Sequence, residues 1–212
     1  PDALSRKLVL ERYGLPEQRV VAAGFPVKRA FAAHPTRDIP NENNLKIIYG
    51  AYAPTRRVCR DIRTILAGIP GSAITLIAGA RKNKLCRYLI PEQLSGRLHI
   101  IERTDAMYRL FLDSHLYIGK AGAATMFEAY AAGIPMMVNY ALPGQEQGNL
   151  ELLLSDGAGV YAESTQDLLS ALHALLMNGS AGWLRMHADM KRAARAGAAP
   201  RIADEVERRF FA

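Results

Sequence analysis

The fold is decided by the stretch His115–Ala132, which reads HLYIGKAGAATMFEAYAA. It opens with a short apolar run, crosses a turn of small residues and continues as an alanine-rich segment that Gly133 ends. This pattern predicts a strand over His115–Ile118 followed by a helix over Ala123–Ala132. A buried strand leading through a tight turn into a helix is the repeating unit of a parallel α/β sheet.

The same alternation extends in both directions along the 212 residues. Short apolar runs without period-2 alternation are separated by helical segments, which predicts a parallel sheet with both faces covered and hence a doubly wound, Rossmann-like α/β domain. Ligands of such sheets bind at the carboxyl ends of the strands. The other predicted strands are Val20–Val27, Leu45–Tyr49, Ala73–Ala78, Leu98–Ile101, Met136–Asn139 and Gly159–Tyr161. The other predicted helices are Asp2–Tyr13, Thr55–Ala67, Leu85–Leu94, Asp105–Leu112, Gln147–Ser155 and most of 165–212, with a break at 179–182.

Composition excludes several classes of protein. Half of the residues are hydrophobic and 22% are charged, which is typical of a soluble globular protein and excludes disorder. No stretch without a formal charge is longer than Ala129–Gln145, which is interrupted by glycine and proline and is too short for a membrane span, so no transmembrane helix is predicted. Two cysteines, Cys59 and Cys86, give neither a disulfide framework nor a zinc site and favour a reducing, cytoplasmic location.

Charge is unevenly distributed along the chain. Residues 1–40 carry 7 − 4 = +3, residues 41–110 carry 12 − 5 = +7, residues 111–181 carry 1 − 7 = −6 and residues 182–212 carry 7 − 4 = +3. A basic block before an acidic one fits an anionic surface that meets only part of the molecule, and solvated helix faces explain it equally well. Nucleic-acid binding is not expected, because no aromatic residues are interleaved with the basic ones.

Familiar motifs are absent. Gly119-Lys120 is followed by Ala121 instead of serine or threonine, so it is not a P-loop, and no glycine-rich dinucleotide fingerprint follows a strand. No serine-hydrolase elbow occurs, and the five histidines do not fall at ligand spacing with carboxylates. Neither a metal nor a cofactor is therefore expected. The histidines are His34, His99, His115, His173 and His187.

The turn before the predicted helix Ala123–Ala132 has the properties of an anion site. Free N–H groups and the dipole at a helix N-terminus favour a phosphate, and small side chains let it approach the backbone. Glu128, in the first turns, can accept hydrogen bonds from a vicinal diol such as a ribose. Alternatively, Thr125 and Glu128 form a capping box that only stabilises the helix.

Three separated motifs carry a family resemblance: 119–129 reads GKAGAATMFEA, 132–135 reads AGIP and 143–149 reads PGQEQGN. In this order and spacing they resemble the donor-binding half of GT-B glycosyltransferases, and in particular the C-terminal domain of glycosyltransferase family 28. The nearest members are monogalactosyldiacylglycerol synthase, the processive diacylglycerol glucosyltransferases and the N-acetylglucosaminyltransferase that completes lipid II. Ala23–Val27 also resembles the segment that opens this half. The resemblance extends from the first helix to about residue 195.

The resemblance implies a set of donor-binding residues. Glu128 holds the ribose hydroxyls of UDP, and the turn Lys120–Thr125 approaches the diphosphate. Arg103 and Thr104 border the uracil. The remaining assignments place Gln145, Glu146 and Asn149 at the donor sugar, and Gly50, Ala51, Tyr52 and Ala53 at the family's phosphate loop. The turn itself contains Lys120, Ala121, Gly122, Ala123, Ala124 and Thr125.

The resemblance also implies an activity, namely inverting transfer of a hexose from a UDP-sugar to a lipid hydroxyl. Residues 1–212 are then a single donor-binding domain with 165–212 as its helical C-terminal segment. The acceptor site and the catalytic base belong to an N-terminal domain outside this chain, so the fragment alone is expected to be inactive. The expected location is cytoplasmic and peripheral on the inner membrane face, with an anionic lipid surface as a possible partner. Arg56 and Arg57 are further candidate phosphate ligands, and a solvated helix start is the alternative role for both.

Two other functions stay open. One is a UDP-sugar epimerase of the same fold, such as the UDP-N-acetylglucosamine 2-epimerases. The other is a binding or regulatory domain that has lost affinity for the donor. The loop Ala51–Pro54, where the family is richer in glycine, is the feature that favours the second.

Overall fold

The structure, a computed structural model, describes residues 2–32, 37–142, 144–194 and 198–211. His34, one of the five histidines, and Pro143, the first residue of the motif 143–149, lie outside the described residues, as do 195–197 and 212 of the predicted helical segment 165–212. The strands are β1 (Lys46–Gly50), β2 (Ala73–Ile77), β3 (Leu98–Ile101), β4 (Leu116–Lys120), β5 (Met136–Tyr140) and β6 (Gly159–Tyr161). The helices are α1 (Ala3–Tyr13), α2 (Thr55–Gly68), α3 (Lys82–Tyr88), α4 (Ile90–Leu94), α5 (Met107–Asp113), α6 (Ala123–Ala132), α7 (Gln147–Ser155), α8 (Thr165–Ala193) and α9 (Ala198–Phe210).

The strands form one parallel sheet in the order β3-β2-β1-β4-β5-β6. The chain first builds outward from β1 to β3 and then returns to the other side of β1 with β4. The order therefore reverses between β1 and β4, which is the topological switch point of a doubly wound sheet. The predicted fold class is confirmed.

Both faces of the sheet are buried, as the apolar strands predict. Ile47 and Tyr49 of β1 enter one core together with α2 and α8, whereas the intervening Ile48 enters a second core with α6. The central strands β1, β4 and β5 supply side chains to both cores, so their sequences are apolar at most positions and show no alternation.

The predicted strand Val20–Val27 is wrong. This segment has no ladder of backbone hydrogen bonds and instead packs through side chains: Phe25 stacks on Phe127 with ring centroids 4.9 Å apart. Gly24 has a φ of +95° and faces Ala198, where an added Cβ would lie 2.8 Å from the alanine Cβ. A short apolar run alone does not distinguish a strand from a packed loop.

Two predicted helices differ in detail. Leu85–Leu94 is divided into α3 and α4 at Leu89, because Pro91 favours the first turn of a new helix over the interior of an old one. The break in the long C-terminal helix lies at Met177–Ser180, slightly before the predicted position, and Asn178 and Ser180 have positive φ there. The Ser180 hydroxyl donates to the carbonyl of Pro40, which fixes the break against the rest of the domain.

Candidate functional site

The loops after β1 and β4 meet at the switch point. Tyr49 of β1 is in register with Ile118 of β4, so the chain leaves both strands at the same level of the sheet edge. The Lys120 ammonium lies 5.0 Å from the centroid of the Tyr52 ring, a cation–π contact that joins the two loops. The structure therefore brings together two of the segments that the sequence assigns to phosphate.

Two glycines let these loops approach each other. An added Cβ would lie 2.7 Å from the Tyr117 hydroxyl oxygen at Gly50 and 2.6 Å from it at Gly119. Both distances are too short for a real Cβ, so the buried Tyr117 occupies the space that side chains at these positions would need. Burial, the largest cause, raises the pKa of Tyr117, and a hydrogen bond with Thr125 opposes the rise.

The N-terminus of α6 has no side-chain cap. Gly122 is the N-cap residue, and the capping box of Thr125 and Glu128 does not form, because Thr125 already lies inside the helix and bonds to Tyr117. That alternative is wrong. The first N–H groups of α6 have no side-chain acceptor among the residues that the structure describes, which leaves them for a ligand oxygen. The Asn149 amide donates to the Ala121 carbonyl over 2.8 Å and holds the turn in place.

A buried ion pair lies beside this helix terminus. Lys120 Nζ is 2.6 Å from Glu146 Oε1, and the other oxygen of Glu146 accepts from the Leu142 N–H over 3.2 Å. The Glu146 side chain is 3% exposed and that of Lys120 is 24% exposed. A Cβ on Gly122 would meet Lys120 Nζ at 3.5 Å and Glu146 Oε1 at 3.6 Å, so the pair borders the anion-binding end of α6. Lys120 is thus held where its charge reaches a ligand at that end.

Glu128 lies on the second turn of α6, about 7–8 Å along the helix axis from Ala123. It is half-buried and makes no hydrogen bond or ion pair with any residue that the structure describes. Burial, the larger cause, raises the pKa of this carboxyl, and the nearby charge of Lys28 opposes the rise. The stacking of Phe25 on Phe127 brings the segment with Lys28 to this place. Sequence reasoning missed Lys28, because no local pattern indicates a contact 100 positions away along the chain.

The partial burial of the Glu128 carboxylate has a consequence for stability. Its pKa is raised in the folded state, so the folded protein binds this proton more tightly than the unfolded chain, and ionisation at neutral pH destabilises the fold. We therefore expect Glu128→Gln to unfold at higher urea concentration than the parent at pH 7. The difference should shrink as pH falls through the raised pKa and vanish below about pH 4, where both states are protonated. Urea midpoints between pH 3.5 and 7.5 measure this, and a constant difference would contradict it.

The other predicted site residues lie around the N-terminus of α6, which is called the centre of the site below. Arg103 and Thr104 follow β3, two strands from β1, which is about 10 Å at ordinary strand spacing. Thr104 caps a turn by accepting from the Ala106 N–H over 3.0 Å, and Arg103 is exposed. Gln145 is exposed beside the buried Glu146. Direct contacts thus join the centre to the residues after β1 and β5, whereas those after β3 lie at one side of it.

Arg57, one of the two further candidate phosphate ligands, is bound to other groups of the protein. Its guanidinium donates from Nε to Asp61 Oδ1 over 2.7 Å and from Nη1 to the Glu163 carbonyl over 2.7 Å. Asp61 is completely buried and also accepts from the Tyr49 hydroxyl over 2.7 Å. Arg57 therefore compensates a buried carboxylate. Arg56 is exposed on α2.

Histidines do not join the site in the described part of the chain. His115 lies at the amino end of β4, where its Nδ1 is 3.0 Å from the Lys46 amide nitrogen. His173 and His187 bond the carbonyls at the C-terminal ends of α2 and α6, and His99 is exposed on β3. Within the same residues no group of three His, Cys, Asp or Glu side chains has the geometry of a metal site. No helix of the described ranges combines the length and apolar character needed to cross a membrane.

The parallel sheet is that of a Rossmann-like α/β domain, and the solved structures that share this fold include glycosyltransferases of the GT-B type. Among solved structures, the chain superimposes on MurG of Acinetobacter baumannii with a TM-score of 0.61 at 20% identity, covering 78% of this chain and 50% of that one. It superimposes on the Anabaena protein HepE in complex with UDP and glucose with a TM-score of 0.59 at 14% identity, covering 78% and 48%. These likenesses establish the fold.

Sequence comparison leads to the same group of proteins. The processive diacylglycerol β-glucosyltransferase of Staphylococcus carnosus is 27% identical over 178 residues, which cover 79% of this chain and 45% of that protein. The chain spans about half the length of the curated relatives it matches. No family model matches it. The predicted resemblance to lipid glycosyltransferases of the GT-B fold is confirmed.

Proposed function

We propose that this chain is the UDP-sugar-binding domain of an inverting glycosyltransferase that moves a hexose from a UDP-sugar to a lipid hydroxyl. The observation that carries the proposal is the uncapped N-terminus of α6 at the switch point, with Glu128 on the same helix. A helix terminus supplies N–H donors and a positive dipole for phosphate, and a carboxylate one turn further can accept from a ribose diol. The names of the curated relatives support the choice of lipid acceptor and sugar.

The parts of the donor are assigned in order along the sheet edge. The diphosphate lies at the turn Lys120–Thr125 and the loop Gly50–Ala53, and the ribose lies at Glu128. The uracil extends toward Arg103 and Thr104. The donor sugar is assigned to Gln145, Glu146 and Asn149, with Glu146 also holding Lys120 in position.

In this proposal the domain stabilises the leaving group. As the acceptor oxygen bonds to the anomeric carbon, the bond from that carbon to the diphosphate breaks and negative charge grows on the departing oxygen. The α6 N–H groups and Lys120 are aimed at that charge. The proton of the acceptor hydroxyl needs a general base. Glu128 is assigned to the ribose and Glu146 is paired with Lys120, so neither is free for this role, and we propose that the base lies outside this chain.

Binding of UDP tests the proposal. We expect calorimetric titration to detect UDP binding by the 212-residue chain. Glu128→Ala should weaken it at least roughly tenfold, because a charged acceptor of hydrogen bonds contributes about 1.5–3 kcal/mol. Glu151→Ala, which removes an exposed carboxylate on α7, is the matched control and should leave the affinity unchanged.

Each alternative function has its own outcome in this experiment. Absence of UDP binding by the parent chain would favour a binding or regulatory domain that has lost the donor. Equal affinity of the Glu128→Ala variant and the parent would remove the ribose assignment. Release of a free epimerised sugar from a UDP-sugar would identify an epimerase, which the positions of His115, His173 and His187 away from the site disfavour.

A lipid acceptor places the proposed reaction at the surface of a membrane. We propose that the whole protein is peripheral on the cytoplasmic face of a membrane, that this domain contributes part of the contact, and that it needs no cofactor. Addition of an acceptor lipid and a UDP-sugar to this chain alone should give no transfer, and detectable transfer would show that the base lies within it.

A further inference from the structure

A basic groove lies outside the candidate donor site, between α2 and α3. It encloses about 550 Å³. Four cationic side chains, Arg56, Arg60, Arg63 and Lys84, line it, and no acidic residue of the described ranges does. Two threonine hydroxyls and the ring of Tyr88 complete most of the lining. We call this feature the α2–α3 groove.

Most of its positive charge is uncompensated. Arg63 is paired with Glu92, with Nε 2.6 Å from Oε1, and also donates to the Tyr88 carbonyl over 2.6 Å. Arg60 and Lys84 make no ion pair with any residue in the described ranges, and both are exposed. Cations crowded without acidic partners repel one another, and that repulsion is relieved by an anionic ligand. The ligand chemistry that fits is therefore a phosphate-bearing group.

Exposed apolar side chains follow the groove along the chain. Tyr88, which lines the groove at the end of α3, is 54% exposed, and Ile90 and Leu94 on the next helix, α4, are 52% and 83% exposed. Ile90 and Leu94 line a second, more open cavity at α4, where little of the lining is polar. Exposed aliphatic side chains on the helix that follows a set of unpaired cations have the composition of a surface that meets the headgroup region of a bilayer, where phosphates lie above apolar chains. A free phosphate would gain nothing from these aliphatic neighbours.

We propose that the α2–α3 groove binds the phosphate headgroups of an anionic phospholipid bilayer, with Ile90 and Leu94 entering the boundary between headgroups and acyl chains. This inference rests on the proposed function, which places the protein at a membrane, and it names the surface that makes the contact. It also gives a role to the +7 block of residues 41–110, which supplies all four cations. The groove begins at the first turn of α2, directly after the loop of β1, so the bound face adjoins the donor site.

Vesicle flotation tests the groove directly. We expect the chain to float with vesicles of phosphatidylglycerol and phosphatidylcholine, and not with phosphatidylcholine alone. Arg60→Gln/Lys84→Gln should lower the partition coefficient at least roughly tenfold, since each basic residue near an anionic surface contributes about fivefold. The control Arg12→Gln/Arg185→Gln removes the same charge from exposed positions on α1 and α8 and should lower it much less.

Further arms separate this inference from its competitors. Leu94→Ser should weaken vesicle binding, and millimolar inorganic phosphate should not release the chain. Equal losses in the two double variants, no effect of Leu94→Ser, or release by phosphate would overturn the proposal. UDP titration of the same proteins keeps the two proposals apart. UDP binding without vesicle binding rejects the groove alone, and the reverse rejects the donor site alone.

Discussion

Replacing Asp61 with alanine should lower the free energy of unfolding by about 3–5 kcal/mol, because it leaves a network of buried polar groups without its acceptor. The carboxylate is completely buried and has four donors. Burial and this neighbouring carboxylate raise the pKa of Tyr49, so its hydroxyl remains a donor at any ordinary pH. The donors are Arg57 Nε at 2.7 Å, the Tyr49 hydroxyl at 2.7 Å, the Thr165 hydroxyl at 2.6 Å and Asn139 Nδ2 at 3.0 Å.

The position of this network makes its loss costly. It joins β1, α2, β5 and α8, so it ties the loop after β1 to the strand on the far side of β4. Urea denaturation measures the effect, with Asp113→Ala as control. Asp113 pairs with Lys46 at 3.0 Å, but both side chains are more than half exposed, and its loss should cost less than about 1 kcal/mol. Similar losses in the two variants would show that the network contributes no more than a surface pair.

The fold could be predicted because its strands are buried on both faces. An apolar run is stable only where it is buried, which in this fold is the middle of a covered sheet. The limits predicted for two such runs, Leu45–Tyr49 and Met136–Asn139, agree with β1 and β5 to within one residue. Val20–Val27 has similar composition but is held by the stacking of Phe25 on α6. An apolar run becomes a strand only if an unpaired edge of the sheet lies next to it in the assembled domain. The sequence of the run alone does not specify this.

Sequence reasoning found the local parts of the candidate site and missed the contacts between distant positions, because those contacts form only in the assembled domain. The turn before α6 is local, so Gly122 and the following small residues could be assigned from their order. The pairing of Lys120 with Glu146 joins positions 26 apart, and that of Arg57 with Asp61 depends on a buried carboxylate. Charge alone did not indicate that Arg57 pairs with a buried acid.

The pairing of Lys120 with Glu146 predicts that both residues act on the diphosphate. Glu146 is buried, and its two oxygens accept from Lys120 and from the Leu142 N–H, so its direct effect is to fix the ammonium beside the α6 terminus. Lys120→Met keeps most of the aliphatic stem but removes the charge and leaves Glu146 without its partner. We expect this variant to lower the affinity for UDP about 30- to 100-fold, equivalent to about 2–3 kcal/mol of binding free energy.

Glu146→Gln and Gln145→Ala separate the phosphate from the sugar. Glu146→Gln should lower the affinity for UDP itself about tenfold, because the neutral amide no longer holds the ammonium. Gln145→Ala, at an exposed neighbouring position, should lower only the affinity for the UDP-sugar. Any additional loss of UDP-sugar affinity in Glu146→Gln then measures its contact with sugar hydroxyls. The double variant Lys120→Met/Glu146→Gln should bind UDP no worse than Lys120→Met alone, since the two act as a unit. Unchanged UDP affinity in Glu146→Gln, or additive losses in the double variant, would mean that Glu146 contacts the sugar and that Lys120 is positioned without it.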